Sequence, residues 1–135
     1  MAATFMMSGL IWFVQIVHYP LFLKIGEADF ISYELDHKRY TSWIVGPLML
    51  VEGIAAISIL IWRDSGLSIF WSLLGLFILG FIHLSTILIQ VPKHRELSSK
   101  FDPKIIQALV KSNWIRTFGW SARSIVATII LMVVV

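Results

Sequence analysis

Cysteine is absent from the 135 residues, which excludes disulfide frameworks, thiolate metal sites and cysteine redox chemistry. Charge is scarce: Asp, Glu, Lys and Arg make up 14%, against about 25% in a soluble domain. The first 23 residues carry none, and they lack both a basic n-region and an A-x-A cleavage site. They therefore read as a retained helix, not a cleaved leader. Gly-rich phosphate loops, a nucleophile elbow and H-E-x-x-H are missing too, which removes those enzyme classes.

Apolar sequence is abundant. The chain is 58% hydrophobic with a mean hydropathy of +0.83. A domain this small cannot hide that much apolar surface from water, so lipid is its natural solvent. A helix needs about 20 mostly apolar residues to cross the hydrocarbon core. Four segments qualify, at approximately 3–23, 41–62, 66–91 and 114–135. The expected architecture is all-α: one integral membrane domain, a four-helix bundle in the cell membrane.

The connections 24–40 and 92–113, with Arg116 just beyond, hold nine of the eleven basic residues. The positive-inside rule places them in the cytoplasm and both termini outside. The turn around Arg63, Asp64 and Ser65 then faces out. Placed this way, the basic residues are topology signals, and no nucleic-acid role is expected. Both inner loops carry helical spacing. Phe30, Tyr33, His37, Tyr40 and Ile44 suggest an inward extension of the second helix. Ile105, Ile106, Leu109 and Val110 suggest a short amphipathic helix after Asp102-Pro103.

Each span contributes one ionisable group. At a rise of 1.5 Å per residue, His18 lies about 9 Å from Lys24 and His83 about 15 Å from Lys93. Glu52 and Arg123 lie about 14 Å from Trp43 and Trp114. All four are expected at similar depth. Intramembrane charges face the bundle interior, paired or functional, so Glu52 and Arg123 are expected to pair. Gln15 and Tyr19 share the face of His18, Thr86 and Gln90 that of His83, and Trp120 that of Arg123. The expected catalytic residues are His18, His83 and Glu52, with His18 and His83 also the metal ligands. Gln15, Tyr19, Thr86, Trp120 and Arg123 would contact substrate. Two imidazoles suit haem or a non-haem metal, and also proton transfer. A polar knot that only fixes helix register uses the same residues.

Glu34 and His37 have the E-x-x-H spacing that serves carboxylate-bridged metals in helical bundles. It occurs once, among charged neighbours, and reads as a solvated face. His94, in Pro92-Lys93-His94-Arg95, reads as interfacial. A faint echo links the halves: the charges Glu52 and Arg123 each follow a tryptophan, Trp43 or Trp114, by nine residues. Duplication and chance both account for it.

The pattern W-x-V-Q-x-V-H-Y-P-L-F (Trp12 to Phe22), Y-E-x-x-H (Tyr33 to His37), G-P-x-M-L-x-E (Gly46 to Glu52) and N-W-I-R-T-x-x-W-x-x-R (Asn113 to Arg123) resembles a group of small bacterial four-helix integral membrane proteins. In layout, and in its late N-x-x-R-T-x-x-W stretch, the chain is similar to the wider family that includes anthrone oxygenases. The layout is also similar to that of the four-helix haem-dependent protoporphyrinogen oxidase. The resemblance implies oxidation of an aromatic or lipophilic substrate. The expected partners are the lipid bilayer, a lipophilic small molecule and, as an open question, a second copy of the chain. Two other classes use the same residues: a non-catalytic lipid binder or accessory subunit, and a proton or ion pathway. The apolar outer stretches 66–82 and 126–135 favour a dead-end pocket over a pathway.

Overall fold

The computed structural model describes residues 1–62 and 66–134. Four helices are long and apolar enough to cross a membrane: α1 (Ala2–Lys24), α2 (Glu27–Ile61), α3 (Ile69–Leu97) and α4 (Pro103–Val134). They form a four-helix bundle in which α1 packs on α2 and α4, and α3 packs on the same two. Met7, Phe22, Phe30, Ile82, Leu109 and Trp120 lie in the core. The outer surface is apolar too: Trp62, Phe77, Leu88 and Met132 are 77%, 73%, 68% and 79% exposed. Water-facing monomers rarely show contiguous apolar surface on this scale.

Local chemistry sets the helix starts. Glu27 and Asp29 occupy the first turn of α2, where the helix dipole favours negative charge. The Ser68 hydroxyl accepts the Phe70 N–H at the start of α3. Asp102 accepts the N–H groups of Lys104 and Ile105, with Pro103 as first helical residue of α4. Proline suits that position because its missing N–H would have no partner there.

The inner connections are far shorter than the hydropathy profile suggests. α1 and α2 are joined by residues 25–26 alone, and α3 and α4 by 98–102. The segments expected as loops are helical extensions of the spans. The amphipathic stretch after Pro103 is the first part of α4, not a separate helix. Amphipathic sequence at the end of a long helix packs on its neighbours as readily as on a membrane surface. The expected turn at 63–65 and the last residue of the fourth span lie outside the described residues.

α1 and α3 share one irregularity. Each contains a π-helical turn, Val14–His18 and Thr86–Gln90. The N–H of Tyr19 reaches the carbonyl of Val14, and that of Val91 reaches Thr86. Pro20 and Pro92 follow directly. Proline lacks an N–H and its ring crowds the carbonyl four residues back, and a widened turn relieves that crowding.

Candidate metal centre

The antiparallel register that sets Lys24 near Glu27 also sets His18 beside His37, and Thr4 beside Glu52. Two buried polar centres result, on different levels of the bundle. The expectation of four ionisable groups at one depth is therefore corrected. Trp43 and Trp114 do not mark the inner ends of their helices, because α2 and α4 continue far past both.

The inner centre gathers Glu34 and His37 from α2, His94 from α3, and His18 and Tyr19 from α1. Glu34 is fully buried and His37 is 9% exposed, while Tyr33, Leu35 and Asp36 face out. The solvated-face reading of Glu34 and His37 is thus overturned: one turn of helix separates them on the inward side. His94, expected at the interface, stands within 2.6 Å of Glu34 through Nδ1. A carboxylate only accepts, so Nδ1 carries the proton and donates it. In neutral His94 that leaves Nε2 to accept the Tyr19 O–H at 2.9 Å. His18 Nε2 and His37 Nδ1 are 2.8 Å apart, with the Thr41 hydroxyl 3.2 Å from the same His37 nitrogen. His37 Nε2 has no hydrogen-bond partner among the described residues, and Oε2 of Glu34 is buried without one.

One ligand atom each from Glu34, His37 and His94 lies within 4.8 Å of the others. Ligand bonds of 2.0–2.2 Å place donors about 3–4 Å apart around one ion. The 4.8 Å limit on this set is close to that spacing. Haem fits less well. A haem held by two imidazoles would need a slot between them, and His18 and His37 touch, leaving none for that pair.

A cavity of about 400 Å³ adjoins the cluster, lined by Tyr19, His37, His94 and Arg116 at one part and by Met7, Leu10, Ile11, Val14 and Val45 at another. It meets the surface between α2 and α3, where Ser42, Gly46, Val91 and Arg95 are exposed.

The other sequence-derived residues lie elsewhere or act differently. His83 is half-buried, and its Nδ1 donates to Leu79 O within its own helix; the structure does not bring it to His18. Gln15 links α1 to α4, accepting from Asn113 and Thr117 and donating to Val110 O. Thr86 lines the cavity but donates its hydroxyl to Ile82 O. Trp120 is a fully buried core residue. Glu52 accepts from Thr4 at 2.5 Å and pairs with Arg123 at 3.4 Å, which makes the outer centre. Neither Glu52 nor Arg123 lines the cavity. Comparison with protein-family models, with curated proteins and with solved structures returns no match for this chain.

Proposed function

We propose that the chain is a membrane-embedded oxidoreductase of the oxygenase type, acting on a lipophilic small molecule held in the cavity beside Glu34, His37 and His94. The observation that carries this reading is the convergence of one carboxylate and two imidazoles, buried, at metal-ligand spacing. Two histidines and one carboxylate are the donor set of non-haem iron oxygenases. Such an ion, when bound, supplies electrons to dioxygen, the oxidant, and leaves coordination positions open. The chain's own residues do the rest. A ligating imidazole donates its second N–H to an acceptor that fixes its orientation. For His37 that acceptor is His18, across the 2.8 Å contact. Tyr19 holds a proton beside His94 at the cavity wall. The outlet between α2 and α3 lets a lipophile enter sideways from the bilayer.

In this reading the bundle lies in the cell membrane, with the inner centre at the cytoplasmic interface. The nine clustered basic residues support that orientation. Tyr40 and Trp43, both exposed, stand where an aromatic interface belt would, with the Arg39 guanidinium 5.3 Å from the Trp43 ring. A reporter fused at Ser98 should read cytoplasmic; an external reading would invert the orientation.

Metal analysis of the protein purified from iron-supplemented cells tests the site. About one ion per chain is expected, as for a mononuclear donor set. Glu34→Gln and His94→Ala should lose most of it, and His83→Ala should keep it. His18→Ala should weaken retention by roughly 10–100-fold, the usual effect of an outer partner. A metal-free wild type, or loss on His83→Ala alone, would sink the metal reading. The closed contacts from Glu34 to His94 to Tyr19 favour a second reading, a metal-free acid–base relay. In that case Tyr19→Phe and His94→Ala abolish turnover of a protein that binds no metal.

A further inference from the structure

Arg116 is 6% exposed and lines the cavity. One of its terminal nitrogens donates to Asn113 Oδ1 at 3.2 Å, and its Nε has no partner. The Tyr19 phenol is its other polar neighbour. Among the described residues no carboxylate pairs with it. The contrast with Arg123, which has Glu52, is direct. A buried guanidinium without a counter-charge is costly. Lys38 and Arg95 line the same cavity, and among the described residues no Asp or Glu does. Glu34 pairs with His94 through one oxygen, and among the described residues it pairs with none of these three cations.

The cavity is therefore two-sided in chemistry. One part offers three cations with Tyr19 and two imidazoles; the other is mainly apolar, and the Thr86 hydroxyl there is taken by Ile82 O. Its volume, about 400 Å³, falls in the range usual for small-molecule sites. We infer that the ligand is a single-chain amphiphile with an acidic head, a carboxylate or a phosphate, whose head is clamped by Arg116 and whose chain lies along Met7, Leu10, Ile11, Val14 and Val45. The planar fork of arginine matches both heads. The inference rests on reading this cavity as the substrate site, and it places the acidic end beside the metal cluster.

The test uses the full chain in nanodiscs of zwitterionic phosphatidylcholine. A photoreactive dodecanoate is crosslinked to it in competition with dodecanoate, dodecyl phosphate or dodecanol. Partition into the disc is common to all protein variants, so differences between them report the site. The better acid should outcompete dodecanol by about tenfold, the worth of a charge-assisted hydrogen bond. Whether dodecanoate or dodecyl phosphate is stronger identifies the head. Arg116→Gln should bring both acids to within about threefold of the alcohol, and Arg116→Lys should keep most of the preference. Val45→Trp should weaken all three competitors alike. If Arg116→Gln fails to fold, the wild-type ratio and a smaller loss of preference in Lys38→Gln decide. Dodecanol matching the acids on wild type overturns the inference, as does an acid preference that survives in folded Arg116→Gln. Iron measured in the same discs separates the two readings. Acid preference without iron removes the metal and leaves the amphiphile; iron without acid preference does the reverse.

Discussion

Glu34 and Glu52 are carboxylates on one helix, both fully buried, in opposite surroundings. Glu52 is closed in. Thr4 donates to one oxygen, and the Arg123 guanidinium neutralises the other. Gly75 makes room for that guanidinium, since a Cβ there would lie 2.7 Å from Arg123 Nη1. Glu34 faces imidazoles instead of a permanent cation, keeps one oxygen without a partner, and sits in a cluster with a cavity alongside. The first arrangement is balanced in charge as it stands, although Glu52 Oε2 and the Nε and Nη1 of Arg123 make no hydrogen bond. In the second no permanent cation balances the carboxylate. Burial alone does not distinguish the two carboxylates; the identity of the partner does.

The largest effect that would break or sharpen this contrast is on stability. Removing one partner of a buried ion pair costs roughly 3–5 kcal/mol, and removing both costs less. Glu52→Gln should therefore lower the thermal midpoint of the purified protein sharply, and adding Arg123→Met should restore part of it. Glu34→Gln should cost much less, because no permanent cation is left behind. Equal losses for the two glutamines would erase the contrast. A smaller effect is expected at Gly75. Gly75→Ala must displace the Arg123 guanidinium, and overpacking of this kind costs about 1–3 kcal/mol. The cost should shrink in an Arg123→Met background, whose shorter side chain leaves the space free. A Gly75→Ala penalty unchanged by Arg123→Met would mean that the glycine serves something other than the guanidinium.

The four helices and the pairing of Glu52 with Arg123 are legible in the sequence, because helices long and apolar enough to cross a bilayer stand out as nearly uncharged runs, and an isolated charge within such a run is expensive. The site is legible in half. His18 and Tyr19 stand out as polar residues in an apolar span. Glu34, His37 and His94 do not, because Asp36, Lys38, Arg39, Lys93 and Arg95 surround them and mimic a wetted surface. A signal was present in the short hairpin. With only Ile25 and Gly26 between α1 and α2, His18 must face a residue near position 37. Arg116 counts among the topology charges, yet helical spacing sets it, unlike Lys111, on one face with Asn113, Trp120 and Arg123. Its burial follows from the inward extension of α2 and α3, which hydropathy windows do not register.

The π turn in α3 determines which residue of Pro92-Lys93-His94-Arg95 reaches the cluster. The buried stripe of that helix runs Leu79, Ile82, Ser85 and then, five residues on, Gln90. A regular helix turns about 100° per residue, and continued from Ile82 it would aim Lys93 inward. The wide turn absorbs one extra residue, so His94 faces in and Lys93 swings aside. In genetic terms the wide turn accounts for one codon. Loss of one residue there would restore a regular helix with His94 still facing in, whereas gain of one residue with the wide turn kept would bring Lys93 to its place, an ammonium for an imidazole.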